Sequence, residues 1–211
     1  MTKYLFFDVS GTLLYKPELI FKISEILNSF GYSISNEELS FKHKLLSEIF
    51  DFPDRTDYFF YKKFNSAFLS LLGIVPDEKI LENIFKKCSY LSWKKYSDTD
   101  FLKKIDMPMG IISNFNSSLK KKLNFFFGDI FSHVFVSEEI MLSKPDPEFY
   151  NFVIDSLNCK PNQILYVGDS IKLDIEPASK LGINTLLIDR QNFYSKNDFL
   201  ISNLEEIKNY L

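Results

Sequence analysis

Five short apolar runs, Tyr4 to Phe7, Met109 to Ile112, His133 to Val136, Ile164 to Val167 and Asn184 to Ile188, each stop at polar residues or glycine and have the length of buried strands. Helical stretches separate the last four: Ser117 to Phe126, Glu148 to Leu157 and Asp174 to Leu181. Strands that alternate with helices in this way predict an α/β fold, a doubly wound parallel five-stranded sheet. Asp146 and Pro147 supply a capping carboxylate and a first-turn proline for one of those helices.

Residues 16 to 100 break the rhythm, with helical periodicity over several segments and no strand signal between them. Ser35-Asn36-Glu37-Glu38 opens one helix with capping chemistry, and Phe60, Phe64 and Phe68 recur at the spacing of a helix face packed on a partner. Tyr58-Phe59-Phe60-Tyr61 is read the same way, as packing rather than pocket lining. The expected organisation is an α/β core of residues 1–15 and 101–211 with a small helical domain, 16–100, inserted between the first two strands.

Bulk properties narrow the function classes. Among 211 residues, 25 Lys and Arg stand against 28 Asp and Glu, a net charge of -3, which offers no footprint for nucleic acid or an anionic membrane. A small, diffusible partner is expected instead. Cys88 and Cys159 lie far apart in no metal or redox spacing, so both are read as buried thiols in a reducing compartment. The apolar run at the N-terminus is too short for a signal peptide, and no stretch of about 18 apolar residues follows, so a cytoplasmic location is expected.

Chemistry-bearing residues gather at the strand ends, the edge where open α/β sheets bind ligands. The first strand runs into Asp8-Val9-Ser10-Gly11-Thr12, which offers a nucleophilic carboxylate, a glycine turn and a hydroxyl with its amide. The second ends in Ser113-Asn114, donors for phosphate oxygens. Lys144, just ahead of a helix start, brings the cation needed when a carboxylate approaches a phosphoryl group. The fourth strand ends in Gly168-Asp169, with Asp174 one turn on, where carboxylates suit a hard cation such as magnesium. Asp174 has the alternative role of a helix N-cap. Each motif alone is an ordinary loop; the four in order are not.

That ordered set, Asp8, Gly11, Thr12, Ser113, Lys144, Gly168, Asp169 and Asp174, resembles the haloacid dehalogenase superfamily, and Val136-Ser137-Glu138-Glu139 ahead of Ser143-Lys144-Pro145-Asp146-Pro147 is similar to it as well. The resemblance implies a Rossmann-like core, a helical cap in the slot of residues 16–100, and no second cap. It also implies a magnesium-dependent hydrolase of a small phosphorylated metabolite. Asp8 would be the nucleophile, with Lys144 beside it, and Gly11, Thr12, Ser113, Asn114 and Lys144 would hold the phosphate. Asp8, Asp169, Asp174 and the backbone carbonyl of Ser10 would hold Mg2+.

Ser10 departs from the pattern, because family phosphatases carry a second aspartate there as general acid and base. A serine cannot fill that role, and losing a positioned acid or base costs on the order of 10² to 10⁴ in rate. Its carbonyl serves the metal unchanged, and the acidic fourth motif speaks against the metal-free dehalogenase branch. Three readings stay open: a phosphatase whose substrate has a good leaving group, a phosphonatase-like or other branch-specific hydrolase, and an impaired protein that binds a phosphorylated metabolite. The phosphonatase-like reading needs a Schiff-base lysine, for which Lys42 and Lys44 are equal candidates.

Overall fold

The computed structural model describes residues 1–53 and 55–211. Two compact units compose it, Met1–Tyr15 with Lys95–Leu211, and Lys16–Lys94. The first opens with β1 (Tyr4–Phe7) and β2 (Leu14–Tyr15), and β2 pairs with β3 (Lys94–Lys95) in a separate two-stranded sheet. Then come β4 (Met109–Ser113), β5 (Phe131–Val136), β6 (Ile164–Gly168), β7 (Asn184–Ile188) and β8 (Leu200–Ile201). With β1 they form one sheet of order β5-β4-β1-β6-β7-β8, parallel at every pairing. The sheet thus has six strands rather than five. The added strand, β8, is two residues at an edge, too short for any alternation of apolar and polar positions to mark it.

Register decides where the loops emerge. Phe7 lies level with Ile111 on one side and Val167 on the other. Asp8 and Asp169, just past β1 and β6, and Ser113, the last residue of β4, therefore lie within about two residues of one level.

The second unit is helical: α1 (Leu19–Ser29), α2 (Asn36–Ser47), α3 (Tyr58–Leu71) and α4 (Glu78–Cys88). Ser35 caps α2 by accepting from Glu38 N at 3.1 Å, and Asp57 caps α3 by accepting from Phe60 N at 2.7 Å. Phe64 and Phe68 are fully buried with Ile23, Ile26, Leu27 and Leu39, so the phenylalanine stripe is core. Phe59 points away and is exposed. Residues 95–100 belong to the first unit, not to the helical insertion expected through residue 100. Their helical character is the start of a 3-10 helix, Ser97–Lys104, that buries Thr99 and Leu102 and pairs Asp98 with Arg190 at 2.8 Å.

The first unit's helices are α5 (Leu119–Phe127), α6 (Ser137–Ile140), α7 (Pro147–Leu157) and α8 (Glu176–Lys180). Asp146 caps α7 by accepting from Glu148 N at 2.9 Å, with Pro147 in the first turn. Before α8 the chain makes a π-helical turn, Ile171–Ile175, where sequence periodicity predicts ordinary helix from Asp174. Pro177 has no N–H for the Leu173 carbonyl four residues back, and the Tyr150 hydroxyl donates to that carbonyl instead. His133, on β5, forms an aromatic cluster with Phe6 and Phe135 and is structural. Cys88 is buried, whereas Cys159 is only partly so. Among the described residues no helix is long and apolar enough to cross a membrane.

Candidate active site

Asp8 sits where β1 ends, buried to 6% exposure. Lys144, buried beside it, donates to Asp8 Oδ1 at 2.7 Å, to Asp174 Oδ1 at 2.6 Å and to the Tyr166 hydroxyl at 3.1 Å. Those three contacts match the three N–H groups of an ammonium. Ser113 Oγ reaches the same Asp8 oxygen at 3.5 Å, the outer edge of a hydrogen bond. Lys144 stays in place partly through Asn114, whose side-chain amide accepts from Lys144 N at 2.7 Å and donates to Lys144 O at 2.8 Å. Asn114, expected to meet phosphate, thus spends both ends of its amide on the lysine's backbone.

Asp169 lies directly across from the turn after β1. A Cβ at Gly11, where φ is +87°, would come within 2.3 Å of Asp169 Oδ2, so only glycine permits both the turn and the approach. Gly168 repeats the device, because a Cβ there would lie 2.4 Å from the Asp174 carboxyl carbon. Asp174 is no N-cap: Ser170 holds that position, accepting from Leu173 N at 3.0 Å, and Asp174 accepts from Ser170 N at 3.1 Å and from Tyr166 OH at 2.7 Å. One ligand oxygen from each of Asp8, Asp169 and Asp174 falls within 4.8 Å of the others.

Three carboxylates and one ammonium leave an excess of negative charge. Burial, with Asp174 and Asp169 adding their charge, pushes the Asp8 carboxyl up to about 7 against the pull of Lys144. Burial works against the Lys144 ammonium too, but Asp174 and Asp8 outweigh it and raise its pKa. The group fits a divalent cation, which would balance the surplus with the hard oxygen ligands it prefers.

The Thr12 hydroxyl is buried and meets no hydrogen-bond partner among the described residues. Ser10 is exposed and bridges to Leu14 through its backbone. Lys42 pairs with Glu38 at 2.7 Å and donates to Leu71 O at 2.9 Å, while Lys44 pairs with Glu48 at 2.9 Å. Both amines, carried by the same helix, are thus held in ion pairs, and neither stands out as a Schiff-base nucleophile. The motifs do not announce Tyr166, between Lys144 and Asp174, or Arg190, whose Nη1 donates to Gly11 O at 3.2 Å. Tyr166 does leave a trace, a hydroxyl-bearing ring in an otherwise aliphatic strand.

Residues 5–188 match the haloacid dehalogenase-like hydrolase family. The chain belongs to that family. An uncharacterised protein of Saccharomyces cerevisiae, YMR130W, is 30% identical over 141 residues, which cover 57% of this chain and 47% of the yeast protein. A glyceraldehyde 3-phosphate phosphatase of Methanocaldococcus jannaschii is 29% identical over 114 residues, 50% of each chain. This chain thus spans about half the length of these curated relatives. The HAD-hydrolase YfnB from Bacillus subtilis, solved bound to magnesium, superposes with a TM-score of 0.70 at 20% identity, covering 100% of this chain and 98% of that one. At that identity the likeness is one of fold.

Proposed function

We propose that this protein is a hydrolase, a magnesium-dependent phosphatase that acts on a small phosphorylated metabolite, with Asp8 as nucleophile. The observation that carries the reading is the buried contact of Asp8 with Lys144 beside Asp169 and Asp174. An oxygen of Asp8 attacks phosphorus, the bond to the leaving oxygen breaks, and water then hydrolyses the aspartyl-phosphate. Lys144 and Ser113 both engage Oδ1 of Asp8, which fixes the carboxylate's orientation and leaves Oδ2 as the oxygen to attack. Lys144 also offsets the charge of an arriving phosphoryl group. The Thr12 hydroxyl, buried without a hydrogen-bond partner among the described residues, is a donor that a phosphoryl oxygen would satisfy. Asp8, Asp169, Asp174 and the Ser10 carbonyl would hold Mg2+, which when bound neutralises charge on the transferring group.

Ser10 shapes the substrate class. Without a carboxylic acid two residues past Asp8, the leaving oxygen must depart with little protonation, and acyl phosphates and phosphoanhydrides meet that condition where alkyl monoesters do not. Phosphatases among the relatives support phosphoryl transfer in general. A screen of acyl phosphates, anhydrides, monoesters and phosphonates in magnesium, with Asp8→Asn as the blank, tests the proposal. Turnover confined to the first two classes is expected; turnover of phosphonates alone, or equal rates in the blank, contradicts it.

A further inference from the structure

The loop after β7 carries none of the sequence motifs, yet it touches both acidic loops of the site. Arg190 donates through Nη1 to the Gly11 carbonyl at 3.2 Å, while Nε and Nη2 grip Asp98 at 3.2 and 2.8 Å. The guanidinium carbon lies 3.9 Å from the centre of the Tyr96 ring, and Tyr96 stacks on Tyr15 at 4.3 Å. Asp98 in turn accepts from Leu204 N at 3.0 Å. Four residues beyond Arg190, the Tyr194 hydroxyl donates to the Asp169 carbonyl at 3.1 Å. Asp189 sets the loop's own shape, accepting from Gln191 N at 3.2 Å and Tyr194 N at 2.8 Å.

We propose that Arg190 is a positioning residue that fixes the turn of the nucleophile loop through the Gly11 carbonyl. The peptide from Gly11 to Thr12 is planar, so holding its oxygen sets the direction of the Thr12 N–H, the amide that follows the turn. Gly11, with φ at +87° and no side chain, cannot hold that plane by itself. Arg190 can, because its fork is locked by Asp98 on one edge and by Tyr96 on its face, so its remaining donor is already aimed. A lysine has neither the fork nor the planar stacking face. Tyr194 does the same for the Asp169 backbone, so one loop braces the loop that bears Asp8 and the loop that bears Asp169.

The kinetic consequence rests on Asp8 being the nucleophile; the structural one does not, and the experiment reads both. Arg190→Ala, Arg190→Lys and Asp98→Asn are compared with wild type by hydrogen–deuterium exchange of residues 9–14 and by kcat and KM on the best substrate from the screen. Faster exchange confined to residues 9–14 is expected in Arg190→Ala. So is a kcat lower by about 10- to 100-fold at a KM within about threefold, the scale of a misplaced reacting group. Arg190→Lys and Asp98→Asn should fall between, and both carry the same test if the alanine variant does not fold. Unchanged exchange in residues 9–14 overturns the proposal, as does exchange raised equally through β4 and β6, the signature of general loosening. A wild type that turns over no substrate sinks the phosphatase reading, while the exchange still decides the role of Arg190.

Discussion

Ser10 stands two residues past Asp8, exposed, with its backbone bridged to Leu14. Its position lets one substitution ask whether only the acid is missing. Ser10→Asp should raise the phosphomonoesterase rate by about 10² to 10⁴. An unchanged, negligible rate in a steady-state assay would place the defect elsewhere. Tyr166 poses a different question, because its hydroxyl meets both Lys144 and Asp174 inside the core. Tyr166→Phe strips a partner from each of two buried charges and should cost about 1–3 kcal/mol in urea unfolding. A cost near zero would mean that the two charges pair as well without it. At this scale Asp8, Ser113, Lys144, Asp169 and Asp174 are legible in the sequence because each lies beside a strand end or helix start that marks itself. Arg190 is not, since its partner Gly11 lies 179 residues away and no local pattern encodes that pairing.

Among the elements, β1 and β7 coincide with their apolar runs, and α7 with its capping aspartate and proline. Where two-residue strands or a π turn intervene, the reading fails, because periodicity needs several residues to declare itself. The motif spacing brings Asp174 to Lys144, but no periodicity marks the π turn in which it lies. Within α2, His43 packs edge-on against Phe64 and Phe68 at 5.2 and 5.6 Å. Burial, with a smaller push from Lys44, lowers its pKa from 6.5 to about 4. The unfolded chain therefore takes up a proton that the folded one refuses, so this stability is present above about 6.5 and is lost as the pH falls towards 4. The loss should reach about 1–3 kcal/mol. Unfolding measured from pH 7 to 4.5 should show it in wild type but not in His43→Leu, and parallel curves for the two would refute the assignment.

For the molecule as a whole, fold and family were readable because strand alternation and four ordered motifs point the same way. The choice of substrate was not, because nothing in the helical unit, from Lys16 to Lys94, spells out a ligand. The charge imbalance of the site gives a test that needs no substrate. Saturating Mg2+, at about a hundred times its Kd, should stabilise the protein by about 2.7 kcal/mol, seen as a rise in Tm of several degrees. Asp169→Asn and Asp8→Asn should lose most of that rise; an equal rise in both would place the cation elsewhere.

The proposed transfer of a phosphoryl group to Asp8 is tested by mass spectrometry of the protein quenched in acid after reaction with acetyl phosphate in magnesium. The expected result is one phosphoryl group on the peptide that contains Asp8, absent from Asp8→Asn. The same label on Asp8→Asn, or none on wild type with any acyl phosphate or anhydride donor, would contradict it.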